Sequence, residues 1–251
     1  MGDLHVTELG DGDPVVLVHG SMGAGSETWS NQLTLADNYQ LLILDRGGYD
    51  NSPSGDGDFE RDAEDVAALL DDAHVVGNSY GGVVALLATA RRPEAVRSLT
   101  VIEPPALGLV RGRPEVEEFI ERVDRARREA TDGSDYAVRF VRSFGFPAST
   151  DALEGRALVA ATASWRERPA WEASIPLAAL AAAPFPTLVV RGAWDTAPDE
   201  ARRIGKASFD AVCDVLVERL GAASATIAGA AHAAHRGDDF NDVLVAFWDS
   251  L

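Results

Sequence analysis

Apolar and polar positions along the chain change period several times, and each change marks an element. Residues 4–9 (LHVTEL) alternate, the period of a strand with one wet face, and GDGDP then reads as a turn. PVVLVHG (14–20) and QLLILD (40–45) are unbroken apolar runs, the pattern of strands buried on both faces, and ETWSNQLTLADNY between them has helical spacing. After the loop RGGYDNSPSGDGD, FERDAEDVAALLDD (59–72) puts acids near its start and an apolar stripe along one side, which predicts a helix. HVVGNS, GGVVALLATARR and VRSLTVIEP continue as strand, helix and strand. This alternation predicts an α/β fold built on a mostly parallel, doubly wound sheet.

The pattern breaks at Pro104 and Pro105. Residues 107–183 hold no convincing buried strand and predict helices at 119–130, 135–144 and 157–168. Pro184 and Pro186 close this stretch, and TLVVRG (187–192) resumes the sheet. A long helix (198–220), the strand SATIAGA and a last helix FNDVLVAFWDSL follow. The expected organisation is one sheet-centred core, 1–106 and 184–251, with a helical cap inserted at 107–183.

Composition narrows the function more than the fold. Forty acidic against 22 basic side chains give a formal charge of −18, a field that repels nucleic acid and anionic membrane. No stretch is long and charge-free enough to cross a bilayer, and MGDLHVTELGDGDP lacks the basic and apolar regions of a secretory leader, so the expectation is a cytoplasmic protein. Cys213 is the only cysteine, which excludes an intrachain disulfide. The five histidines are scattered, and the glycines near 20–25 precede no Gly-Lys-Ser, so neither a metal nor a phosphate-bearing cofactor is expected.

Catalytic groups in open parallel sheets gather beyond the C-terminal ends of strands. There the sequence places His19-Gly20-Ser21, then Gly77-Asn78-Ser79-Tyr80-Gly81, then Trp194-Asp195, and last Ala231-His232. A hydroxyl, an acid and an imidazole thus come in the order Ser79, Asp195, His232, with Ser79 in a Gly-x-Ser-x-Gly between strand and helix, the pattern of a nucleophile elbow.

The stretches VVLVHG, LILDRGGYDNSP, VVGNSYGG, PTLVVRGAWD and GAAHAAH together resemble the α/β-hydrolase superfamily, in its capped branch with a serine nucleophile, over nearly the whole chain. The resemblance implies that Ser79 attacks, that His232 is its base, and that Asp195 orients the imidazole. Glu103, after the next strand, is the alternative acid, because some branches take theirs from that position. The N–H groups of Ser21 and Tyr80 would form the oxyanion hole, and His19 would brace its loop. Asp45 and Arg46 read as a loop-fixing pair. Trp165, Phe144 and His235 are the candidates for the substrate pocket. Two departures stand out: one strand only precedes PVVLVHG, and the DRGG loop reads GYDNS where a G-x-G is usual.

The implied activity is hydrolysis of an ester, lactone or related small acyl substrate with an apolar portion, through an acyl-enzyme and without a cofactor. Serine at the elbow argues against haloalkane dehalogenase and epoxide hydrolase chemistry. HGSMGAGSETW is loosely similar to the oxyanion loop of meta-cleavage hydrolases, which keeps carbon–carbon bond cleavage as an alternative. A small-molecule receptor and a non-hydrolytic cyclase or acyltransferase are further uses of the same fold.

Overall fold

Seven strands form one sheet in the order β1-β3-β2-β4-β5-β6-β7, with β1 antiparallel to β3 and every other pairing parallel. The computed structural model describes residues 4–53, 55 and 57–251; Ser54 and Asp56 of the predicted loop after QLLILD, and residues 1–3, lie outside them. The strands are β1 (Val6–Leu9), β2 (Asp13–Val18), β3 (Tyr39–Leu44), β4 (Ala73–Asn78), β5 (Val96–Ile102), β6 (Thr187–Gly192) and β7 (Ala223–Ile227). The unbroken apolar runs are the central ones: all six residues of β4 are buried, as are Val15 to Val18 of β2. The alternating segment is the edge strand β1, half-buried at Val6 and Thr7 and exposed at Glu8 and Leu9. The single strand ahead of β2 pairs with β3 rather than forming a hairpin with β2.

The helices are α1 (Gly25–Thr28), α2 (Phe59–Leu69), α3 (Tyr80–Arg91), α4 (Pro114–Glu129), α5 (Gly133–Ser143), α6 (Gly155–Arg166), α7 (Leu177–Ala181), α8 (Asp199–Ala201), α9 (Ala207–Leu220) and α10 (Phe240–Trp248). A π-type turn, Arg202–Lys206, joins α8 to α9. Asp58 caps α2 by accepting from the Glu60 and Arg61 amides, a bond that contributes about 1 kcal/mol. Helix α3 is buried from Tyr80 to Thr89, which explains why its sequence is apolar all round. Val83, Val84 and Leu86 pack with Val75 and Leu99 of the sheet. Each such side chain contributes about 1.5–3 kcal/mol on burial. The opposite face is covered by a second apolar cluster, in which Trp29, Phe240, Leu244 and Trp248 pack on Val15, Leu17 and Ile43.

Between β5 and β6 the described residues form helices and turns only, as the sequence pattern predicts. This helical insert brings Tyr136, Phe140 and Phe144 over the C-terminal rim of the sheet, beside Ser79.

Candidate active site

Ser79 sits where β4 ends and α3 begins, at φ 52° and ψ −122°, a backbone region that non-glycine residues rarely adopt. The turn is held from both sides: Ser79 N–H donates to Ile102 C=O at 2.9 Å and Gly82 N–H donates to Ser79 C=O at 2.8 Å. Small neighbours make the turn possible. A Cβ at Gly81 would lie 2.2 Å from the Val18 carbonyl oxygen, and one at Gly20 would lie 2.9 Å from Ser79 Cβ. The hydroxyl therefore stands at the rim on a strained residue, the kind of cost that folds retain at reacting centres.

The imidazole of His232 reaches this hydroxyl, with Nε2 2.9 Å from Ser79 Oγ. Its Nδ1 lies 2.8 Å from Glu103 Oε2. A carboxylate accepts, so Nδ1 carries the hydrogen, and Nε2 is left with the lone pair that faces the serine hydroxyl. Phe209 stacks on the ring at 4.2 Å between centroids, and Phe144 packs at 5.3 Å.

Glu103 is fully buried. Its Oε1 accepts from the Gly192 N–H and from Trp194 Nε1, each at 2.8 Å, so three donors surround one carboxylate. Its own φ is +40°, and that of Trp194 is +57°. These two turns decide which of the two candidate carboxylates reaches His232. Trp194 is fully buried with its indole on Glu103, and the next residue, Asp195, turns out to solvent. Asp195 accepts from Thr196 N–H at 3.0 Å and Gly229 N–H at 3.3 Å and has no bond to His232. It ties the loops after β6 and β7 together, and Glu103 stands beside the imidazole in its place.

The loop after β2 is organised by two buried groups. His19 Nδ1 donates to Gly20 C=O at 2.7 Å, and its Nε2 accepts from the Arg46 N–H at 3.0 Å. Burial, then the nearby guanidinium, pushes its pKa well below the ordinary value, so the ring is neutral, as this bonding requires. Arg46 is fully buried, and its Nε and Nη2 donate to the carbonyls of His19 and Gly20 at 3.0 and 3.1 Å. The expected Asp45–Arg46 pair does not form. Asp45 accepts from the Gly25 N–H, whereas Arg46 pairs with Asp62 at 2.9 Å and with Glu167 of the helical insert. Burial opposes the Arg46 charge, but Glu167, Tyr49 and Asp62 more than offset it and hold the guanidinium well above its ordinary pKa. Ser21 N–H donates to no group among the described residues.

Two cavities meet at Ser79. The narrow one, about 40 Å³, is lined by Tyr80, Phe119, Tyr136, Phe140 and Trp171, with Ser21 and Glu167 at its wall. The wide one, about 390 Å³, is lined by His232, Asn78, Met22, Phe146 and His235. Phe144 lines both. His235 is buried against Trp29, both its ring nitrogens lack partners among the described residues, and burial lowers its pKa to about 3. Trp165, the other expected pocket residue, lines neither cavity. Its indole donates to Arg127 C=O and stacks on Tyr136 inside the insert, because its helix turns that face away from the rim. The sequence pattern does not mark Glu167 or Phe209 as site residues; Phe140 stands among the aromatics of the helical stretch, and Asn78 beside the elbow serine, without a role assigned to either.

Residues 15–246 match the model of the alpha/beta hydrolase family. Among curated relatives, a 2-hydroxy-6-oxononadienedioate/2-hydroxy-6-oxononatrienedioate hydrolase of a Pseudomonas species is 32% identical over 119 residues, 43% of this chain and 42% of the relative. A pimeloyl-acyl-carrier-protein methyl ester esterase of Aeromonas hydrophila is 34% identical over 102 residues, 39% of this chain and 40% of the relative. The chain thus matches about two fifths of the length of these relatives. The solved structure of an alpha/beta hydrolase from Sphaerobacter thermophilus superposes with a TM-score of 0.68 at 24% identity, covering 98% of this chain and 96% of the other. No helix among the described residues is long and apolar enough to cross a membrane. With its elbow, its strand order and the match across nearly all of its sheet, this chain belongs to the alpha/beta hydrolase family.

Proposed function

We propose that the protein is a serine hydrolase that cleaves a small carboxylic ester or lactone through an acyl-enzyme, with Ser79, His232 and Glu103 as its triad. The observation that carries this is the unbroken hydrogen-bond line from Ser79 Oγ through the imidazole to a buried, triply bonded carboxylate. A serine hydroxyl is a weak nucleophile until a base takes its proton. As Ser79 Oγ attacks the substrate carbonyl carbon, its proton moves to His232 Nε2, and Glu103 stabilises the imidazolium without taking the proton itself. The carbonyl oxygen, now an anion, is met by the N–H groups of Ser21 and Tyr80, the latter at the start of α3 where the helix dipole favours negative charge. His232 then returns the proton to the leaving oxygen. Water enters, gives a proton to the same nitrogen and releases the acid.

The two cavities divide the substrate. The leaving group must receive its proton from His232, which lines the wide cavity and is absent from the narrow one. The alcohol therefore departs through the wide side, and the acyl chain occupies the narrow aromatic slot beneath the helical insert, which acts as a cap. A slot of about 40 Å³ suits a short acyl chain.

The test is labelling with a fluorophosphonate probe together with a series of p-nitrophenyl esters of rising acyl length. Labelling lost in Ser79→Ala and a rate optimum at short chains are expected; no labelling of the wild-type chain would end this reading. The Pseudomonas relative favours a second reading, carbon–carbon bond hydrolysis. A 2-hydroxy-6-oxodienoate in the same panel separates the two.

A further inference from the structure

Glu167 belongs to the helical insert, yet its carboxylate is spent on the core. It is 3% exposed, and it follows directly on the C-terminal end of α6. Oε2 accepts from Ser21 Oγ at 2.5 Å; Oε1 accepts from Tyr49 OH at 2.6 Å and from Arg46 Nη2. The backbone carbonyl of Glu167 is in turn held by Arg127 of α4, so the side chain is fixed at its base by the insert and at its tip by the loops after β2 and β3.

What those contacts aim is one peptide plane. The Gly20 carbonyl oxygen receives both Arg46 Nη2 and His19 Nδ1. In a trans peptide the C=O and the following N–H point in opposite directions, and no described peptide bond is cis. Pinning the Gly20 oxygen toward Arg46 therefore turns the Ser21 N–H the other way, and that N–H has no other partner among the described residues. Arg46 can hold this pose because its guanidinium lies between the rings of Tyr49 and Tyr80, at 4.7 and 4.4 Å, and because Glu167 and Asp62 compensate its buried charge. Asp62 comes from the core helix α2. Among the described residues, Glu167 is the insert side chain that hydrogen-bonds both to Ser21, the residue of the pinned peptide, and to the arginine that pins it.

We infer that Glu167 is a positioning residue that couples the seating of the cap to the aim of the Ser21 oxyanion donor. With the cap seated, the loop is locked and the donor faces the place of the substrate's carbonyl oxygen; with the cap displaced, Arg46 loses a carboxylate, Ser21 Oγ loses its acceptor, and the donor is free to drift. The idea rests on the proposed role of the Ser21 N–H. Wild-type labelling by fluorophosphonate checks that the serine chemistry exists at all, independently of anything Glu167 does.

The test compares wild type, Glu167→Gln and Ser21→Ala, each titrated for active sites with the fluorophosphonate and each checked for its melting temperature. Two quantities are then measured per active site: kcat and KM on a short p-nitrophenyl ester, and the inhibition constant of an alkyl trifluoromethyl ketone, which binds as a tetrahedral oxyanion. A misaimed donor costs about ten- to a hundredfold in catalysis, so Glu167→Gln is expected to lower kcat by that factor, weaken the ketone in parallel and leave KM within about twofold. Ser21→Ala keeps the N–H and removes one anchor, and it should shift both quantities in the same direction by about three- to tenfold. A merely structural role would reduce the titrated active fraction and leave the ketone constant unchanged. Wild-type kcat and ketone affinity in a folded Glu167→Gln overturn the inference. If that variant does not fold, wild-type values in Ser21→Ala overturn it instead.

Discussion

Two buried glutamates flank Ser79, and they are built to opposite plans. Glu103 stands on the base side and takes three hydrogen bonds from the sheet's own loops, from Gly192, Trp194 and His232. Glu167 stands on the oxyanion side and also takes three, from Ser21, Tyr49 and Arg46, but the helical insert supplies it. The hydrogen bonds of Glu103 thus lie within the sheet and its loops, whereas those of Glu167 join the helical insert to the loops after β2 and β3. The difference teaches where control can enter. If the proposed mechanism holds, the proton relay needs only the sheet and its loops, and the oxyanion donor needs the insert as well.

The largest effect should come from the residue both sides serve. Ser79→Ala is expected to lower kcat by roughly a millionfold while the melting temperature stays near wild type, since the hydroxyl does no packing. Activity above about a hundredth of wild type in that variant would mean that neither glutamate supports an acyl-enzyme. Glu103→Gln comes next, with an expected loss on the order of 10⁴ in kcat, because an amide can present N–H to His232 and favour the wrong tautomer. The amide oxygen can still accept from both Gly192 and Trp194, which already share Oε1, so the loss should fall on catalysis and spare the fold. Glu167→Gln ranks below it, since misaiming one donor costs less than losing the base. A reversal of that order would break the comparison outright.

Acid sharpens the contrast through stability. The oxyanion side leans on the neutral imidazole of His19, whose Nε2 accepts from the Arg46 N–H. His74 and His235 are likewise buried, with pKa values lowered by burial to about 4 and about 3. Because these folded values lie below the unfolded value of 6.5, the stability they permit is full above about pH 6.5 and is lost as pH falls toward 4, where the unfolded chain takes up protons that the folded chain refuses. The loss is on the order of a few kcal/mol in all, since each tenfold weakening of proton binding on folding is worth about 1.36 kcal/mol. His235→Phe should flatten the fall of melting temperature between pH 7 and 4 and leave stability at pH 7 unchanged or raised, since both His235 nitrogens lack partners. An equally steep fall in that variant would assign the acid sensitivity to other groups.

The sequence displayed most of the fold and half of the site. Unbroken apolar runs marked β2 and β3 as buried strands, and the alternation of LHVTEL marked a further strand, because burial is written into residue order. Ser79 and His232 were legible for a similar reason: a strained turn needs glycines beside it, and those are local. The acid was not. Glu103 and Asp195 both follow strands, and what separates them is the aim of one side chain after a positive φ, at Glu103 and at Trp194. Glu167 was further out of reach, for Ser21 and Arg46 lie 146 and 121 residues away and no periodicity links the end of α6 to the loops after β2 and β3. Trp165 failed as a pocket residue for the complementary reason: a helix's apolar stripe says that a face is buried, and leaves open whether against substrate or against the next helix.

The smallest expected effect falls on the residue that looked most like a catalytic acid. Asp195 is exposed, and its two oxygens tie only the Thr196 and Gly229 amides at 3.0 and 3.3 Å. Asp195→Asn keeps an acceptor for one of these amides, so kcat should stay within about threefold and stability within about 0.5 kcal/mol of wild type. The measurement that matters is kcat for Asp195→Asn beside Glu103→Gln on one substrate. A loss in Asp195→Asn as large as in Glu103→Gln would require the loop after β6 to swing until Asp195 reached the imidazole. Such a swing would have to undo Trp194, which is fully buried and bonded to Glu103 at 2.8 Å. The bond that excludes Asp195 from the site is therefore the same one that holds Glu103 in it.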